Sequence, residues 1–339
     1  MAGKKKATKK KPSKNFVKAR KALLKSIKEA EGLSAEYRYR DADDSLKADR
    51  HIALAVVKKY ARAFEYVPDN LKANRNIVLA AVKNHAWALL HADDSLKADR
   101  EIVLEAVKGD GYILEIAADS LKADREVVLA AVKDGRRGLT IRHADDSLKA
   151  DREIMLEVVK NGGSIWAADP SLNADPEFVL EALKHDYTTL GWADDSFQSD
   201  RELVLKTVKD SGLALRFADD SLKADREVVL AAVKQDGDAL EYADDSLKAD
   251  REVVLEAVKG SFSGLPLRHA HKRLRADRDI VMEAVQWNGN SLMHAHKRLQ
   301  ADRDIVMEAV KSNWDAFEYA SIELWEDKEL KKMSNWRPD

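Results

Sequence analysis

The sequence predicts an all-α fold: an α-solenoid of about twelve 25-residue helical-hairpin repeats with a cap at each end. Three observations lead there. One apolar phrase recurs, opening at Arg50, Arg75, Arg100, Arg125, Arg152, Pro176, Arg201, Arg226, Arg251, Arg278, Arg303 and Lys328, with gaps of 24, 25 or 27 residues. A fixed period of that size marks a repeat array. The composition favours helix, with only 14 Gly and 6 Pro in 339 residues and an abundance of Ala, Leu, Val, Lys and Glu. Finally, the repeats lack the sustained period-two alternation of strands.

The elements follow in chain order. Residues 1–14 are too poor in apolar side chains to fold alone and are expected to be a disordered basic arm. Residues 15–40 should hold the N-terminal capping helix, with Phe16, Leu23, Leu24 and Ile27 as its apolar positions. Residues 41–330 form the repeat domain, whose last unit degenerates over 321–330 into a C-terminal cap, and 331–339 remain as a tail. The superhelix is expected to be right-handed.

Residues 225–250 serve as the reference repeat. Asp225 is placed to cap a first helix, because its carboxylate can accept an otherwise unpaired amide. Pro176, which stands where other repeats have Arg, fixes that boundary, since Pro is favoured at the first helical position. Val228, Val229, Leu230, Ala232 and Val233 wrap this helix almost all round in apolar surface, which predicts a sandwiched helix with Leu230 in the core. Gly237 reads as a stop signal. Residues 238–245 read as a second helix of about two turns, with Leu240 inward, and Leu247 as an anchor in the following link. Two such helices bury little alone, so stacking between repeats must supply the stability. Extra residues at 134–143 and 260–269 place two longer loops on one edge. That edge is either a binding face or plain loop variation.

The phrase Ala-Asp-Arg-Glu-Val-Val-Leu-Ala-Ala-Val-Lys at residues 224–234, followed by Gly and a short Ala-Leu-x-x-Ala segment, resembles the family catalogued as domain of unknown function 4116. The resemblance covers roughly residues 41–330 and implies tandem helical repeats. It carries over no catalytic or binding residues.

Charge narrows the function. The net value of −2 divides into a basic segment and an acidic body: residues 1–28 hold eleven Lys, one Arg and no acid. Cysteine is absent, which excludes disulfides, thiolate metal sites and cysteine nucleophiles. With no apolar run of membrane length, the expectation is an intracellular protein, cytoplasmic or nuclear, without a membrane role.

Four features could carry binding. The first is a recurrent acidic corner, including Asp43, Asp44, Asp93, Asp94, Asp219, Asp220, Asp244 and Asp245. It lacks the glycine and converging ligands of a calcium loop, which leaves helix-end chemistry or a docking strip for a basic protein. The second is a column of rings from Tyr66 to Tyr319, read as inter-repeat packing or as a base-stacking platform. The third replaces the acidic phrase by Ala-His-Lys-Arg-Leu in two adjacent repeats, which puts Lys272, Arg273, Arg275, Lys297 and Arg298 in a basic, His-rich patch. Zinc there would need ligands converging at about 2.0–2.1 Å, and residues two apart on a helix diverge, so no metal is assigned. The fourth is the arm, where Lys4, Lys5, Lys6, Lys9, Lys10, Lys11 and Lys14 suit nuclear import or a polyanion, or merely aid solubility.

With no nucleophile–base–orienter set and no phosphate loop, neither an enzyme nor a cofactor is expected. The reading is a non-catalytic scaffold or adaptor that presents an extended surface to a protein partner or larger assembly. The alternative is a nucleic-acid- or ribonucleoprotein-associated factor held by the arm and the basic patch.

Overall fold

The computed structural model describes residues 13–30, 34–133, 138–259, 261 and 263–334, and among them every regular element is helical. Two compact units, Met1–Leu172 and Asn173–Asp339, are built from the same repeat.

Each repeat has three helical pieces. In the reference repeat the long α-helix Arg226–Gln235 is followed by a 3₁₀ helix, Gly237–Tyr242, and a one-turn α-helix, Asp245–Lys248. The second arm of the expected hairpin is thus a 3₁₀ helix, and the expected link is itself helical. An aspartate starts each piece. Asp225 accepts from the amides of Glu227 and Val228 at 2.9 and 3.2 Å, Asp236 from that of Asp238 at 3.0 Å, and Asp244 from that of Ser246 at 2.9 Å. These bonds satisfy amides that the helix itself leaves unpaired, which is why Asp recurs at these places.

The core corrects two details of the sequence reading. The long helix buries Val228, Val229, Ala232 and Val233, while Leu230 and Ala231 are only half-buried. An apolar stripe therefore meets its neighbours, and the helix is not enclosed all round. Leu240 and Leu247 are buried as expected. Gly237 does not stop the helix, because the cap residue Asp236 is already extended (φ −148°). Gly237 is needed for close approach: a Cβ there would lie 2.1 Å from the carbonyl oxygen of Ala257 in the next long helix. Gly111, Gly212 and Gly289 make the same approach to Ala131, Ala232 and Ala309 at 2.2–2.4 Å. A small residue facing a small residue 20 positions later lets backbone meet backbone between repeats.

The described parts of the two longer loops contain Gly138 and Gly264 with φ of 60° and 75°, a left-handed conformation open to glycine. At the N-terminus two helices, Lys14–Glu29 and Ser34–Arg40, occupy the segment read as one. Ile27 and Tyr39 are buried, and Lys59 Nζ donates to the carbonyls of Ile27, Lys28 and Ala30 at 3.2, 2.7 and 2.7 Å. That closes the end of the first helix with a cation, as its dipole favours. The C-terminal helix Lys328–Ser334 buries Leu330.

Candidate functional site

Two ladders run from repeat to repeat, and both decide which charged groups remain available. In the first, the Arg that opens most of the long helices bridges to the next helix N-terminus. Arg201 Nε donates to Asp225 at 2.8 Å and its Nη2 to Glu227 at 2.6 Å. Arg251 reaches Asp277 and Asp279 at 3.0 and 2.8 Å, and Arg303 reaches Asp327 and Glu329 at 2.8 and 2.6 Å. Arg75, Arg100 and Arg125 do the same in the first unit, and Arg20 of the first helix pairs with Asp49 at 3.0 Å. The Arg201 guanidinium beside Asp225 holds that carboxyl below its ordinary range, and the amides it caps add to the effect. Sequence reasoning treated these arginines only as helix openers. The signal was nonetheless present, as an Arg followed 24 or 26 residues later by Asp and two further on by an acid.

The second ladder is backbone. Asp244 N donates to Lys223 O at 2.9 Å, His271 N to Lys248 O at 2.9 Å and His296 N to Arg275 O at 2.8 Å, with equivalents at Asp93, Ala118, Asp145, Asp194 and Asp219. It fixes the one-turn helices in register along each unit.

The acidic corner consists largely of helix-end chemistry. Asp93, Asp219 and Asp244 each accept from the amide and hydroxyl of the Ser two residues on, which holds their carboxyls below the ordinary range. Asp43 precedes a helix without making the side-chain cap. The second member points outward and pairs with Lys three residues later: Asp44–Lys47 at 2.9 Å, Asp94–Lys97 at 2.9 Å, Asp220–Lys223 at 3.0 Å and Asp245–Lys248 at 3.6 Å. These second carboxylates are 94–99% exposed.

In the His-Lys-Arg repeats the fold keeps the cap and changes the atom. His271 Nδ1 accepts from the amide of Arg273 at 3.3 Å, and His296 Nδ1 from that of Arg298 at 3.2 Å, as an Asp carboxylate does elsewhere. Arg273 and Arg298 reach back to the carbonyls of Ala249 and Ala276 at 3.1 and 3.0 Å. Lys272 and Lys297 are exposed and Arg275 half-buried. The structure thus brings Lys272, Arg273 and Arg275 together on one turn, with Lys297 and Arg298 in the next repeat. With Nδ1 committed to capping, these histidines do not converge on an ion. Among the described residues no three His, Asp or Glu side chains form a metal-binding group.

The ring column is half-buried at most positions, including Tyr66, His91, Phe217, Tyr242, His269 and His294, while Trp192 is exposed. Its ring pairs join a column member to a tyrosine of the preceding 3₁₀ helix: Tyr112 with His143 at 6.3 Å and Tyr187 with Phe217 at 6.4 Å. That is packing between repeats, and half-burial leaves little face for stacked bases. Burial, then the neighbouring charges of Arg268, Arg275 and His269, push the His294 imidazole below the ordinary histidine range.

Half-burial of the Leu230-type residue creates a feature absent from the sequence reading. Shallow grooves run between successive long helices. One is floored by Leu104, Leu129 and Ala130 and rimmed by Lys108, Glu126 and Lys133; another is formed by Leu54, Leu79 and Ala80 with Lys58 and Lys83. Of the arm, Lys4, Lys5, Lys6, Lys9, Lys10 and Lys11 lie outside the described residues, and Lys14 is the exposed first residue of the N-terminal helix. Among the described residues no helix is long and apolar enough to cross a membrane.

Comparison with known families agrees with this architecture. The profile described as Domain of unknown function (DUF4116) matches in overlapping tandem copies at residues 36–72, 49–97, 74–122, 99–137, 124–173, 175–223, 225–275, 261–300 and 277–325. The chain belongs to that family. No curated protein matches it.

Proposed function

We propose that this member of the DUF4116 family is a non-catalytic scaffold or adaptor whose long-helix face docks a protein partner. The observation that carries this reading is the recurring groove, with a Leu-Ala floor and a lysine-bearing rim. Apolar floors flanked by charge suit the apolar stripe of a partner helix. Among the described residues the recurrent Asp, Ser and Arg side chains are engaged in caps and ladders, which supports a binding role over a catalytic one. The alternative, a nucleic-acid- or ribonucleoprotein-associated factor, draws on the exposed Lys272 and Lys297 and on the basic arm.

The test is affinity recovery from cell extract with the full chain, with Leu104→Glu/Leu129→Glu, and with residues 1–12 removed, each with and without nuclease. The deletion stops at residue 12 because the helix beyond it buries Ile27 and pairs Arg20 with Asp49. A defined protein set that survives nuclease and arm removal but is lost with the groove substitutions is expected. Loss on nuclease or arm removal, with the groove substitutions silent, would replace this reading by the alternative, whose binding should also fall steeply with salt.

A further inference from the structure

Residues 268–275 carry Arg268, Lys272, Arg273 and Arg275 with no carboxylate, whereas the same register at 241–248 carries Glu241, Asp244, Asp245 and only Lys248. The substitution also removes a neutralising pair. In most other repeats the residue at the Arg275 position is a Lys held by an Asp three residues earlier; here that earlier residue is Lys272. Like charges so spaced on a helical turn repel, and the next repeat adds exposed Lys297. The fold maintains this turn by changing its cap to His271 and tying Arg273 to the preceding repeat. What offsets the accumulated charge must come from outside the patch.

We infer that the His-Lys-Arg patch is a self-association surface that docks on the exposed aspartate ridge of a second copy of this chain. The ridge offers Asp69, Asp94 and Asp119, each 94–97% exposed, with Lys72, Lys97 and Lys122 2.9–3.2 Å away. Such exposed pairs are weak and exchange partners readily. Complementarity lies in spacing as well as sign. Lys272 and Lys297 hold the same position in adjacent repeats as Asp94 and Asp119 do. Packed helices set one step of about 8–10 Å for both, so two cations meet two carboxylates in register. A nucleic acid fits less well, because the chain beyond residue 28 carries a large excess of Asp and Glu that repels phosphate. Patch and ridge are different surfaces, so the contact is heterologous and any open oligomer carries one free patch and one free ridge at its ends.

This contact is independent of the scaffold reading, and its failure would leave the extract recovery experiment untouched. Sedimentation velocity of the full chain tests it. At about 0.02 M salt, where screening is weak, the weight-average sedimentation coefficient should rise with protein concentration, and it should return to the monomer value at about 0.5 M. Lys272→Asp/Lys297→Asp restores the residue type of the ordinary repeat and should preserve the thermal midpoint while weakening association about tenfold or more. Asp94→Lys/Asp119→Lys should do the same. A mixture of the two variants should regain association, because one supplies the ridge and the other the patch. Removal of residues 1–12 should leave association intact. A monomeric wild type, patch variants that still associate, or a mixture that stays monomeric would each overturn the proposal. So would patch-dependent binding of a single-stranded oligonucleotide by a wild type that remains monomeric.

Discussion

The repeat containing Tyr242, Asp244 and Asp245 and the one containing His294, His296 and Lys297 share a backbone and carry opposite charge. In both, an acceptor atom caps the one-turn helix, whether the Asp244 carboxylate or His296 Nδ1. In both, the amide of that same residue continues the backbone ladder, at 2.9 and 2.8 Å. Core positions also correspond, since Leu240 and Leu292 are fully buried on their 3₁₀ helices. The fold requires an acceptor and an apolar side chain at fixed register but does not require a particular surface charge. Charge can therefore invert in a repeat without changing its elements.

Core truncation should have the largest effect and should treat the two regions alike. Leu240→Ala and Leu292→Ala should each cost about 2–5 kcal/mol, the range for a buried leucine, whereas half-buried Leu230→Ala should cost clearly less. Denaturant midpoints would check all three, and a Leu230→Ala loss equal to that of Leu240→Ala would remove the distinction between stripe and groove. Next come the long-helix caps. Asp225→Ala and Asp277→Ala should each lose about 0.5–2 kcal/mol, read from thermal midpoints, because each also anchors an arginine rung. A marked difference between them would show that the ladder weakens in the basic repeats.

The smallest effect separates the regions. Burial, then Arg268 for His269 and Arg268 with Arg275 for His294, hold both imidazoles below the ordinary histidine range, while Glu241 partly opposes this at His269. The unfolded chain protonates near about pH 6.5. Below that value it takes up protons that the folded rings resist. Stability contributed by the neutral rings is complete above about pH 6.5 and lost as pH falls through their folded values. His269→Tyr/His294→Tyr, which matches Tyr242 in the ordinary repeat, should flatten that part of the stability profile. The carboxylate caps act in the same direction at lower pH. Asp225 lies below its ordinary value, so its contribution is lost only on stronger acidification. An unchanged slope between about pH 6.5 and 5 in the double variant would exclude the histidines as its cause.

Much of this architecture was legible in one repeat. Asp225 before the apolar run, Pro176 at a helix start and Leu247 as an anchor follow from local rules of capping and burial. The arginine rungs were legible only across a full period, because Arg201 and Asp225 are 24 residues apart and meet through stacking. Gly237 was misread for a similar reason: its stop-signal role is a local idea, whereas its neighbour is Ala257 O in the following helix. Nor could periodicity show that Leu230 is half-buried, since that depends on how far the adjacent long helices leave a groove open. Of the candidate residues, the acidic pairs were recognisable as helix-end chemistry, but the role of His296 as a cap depends on the folded placement of its ring.

The sequence by itself determined the repeat length, the helix starts and the inversion of charge at residues 268–298, because these depend on residue type and spacing along the chain. The tertiary structure decided which small residues touch, which charges are consumed in ladders and which leucines line grooves. Those depend on distances between repeats, and such distances exist only once neighbouring helices have packed.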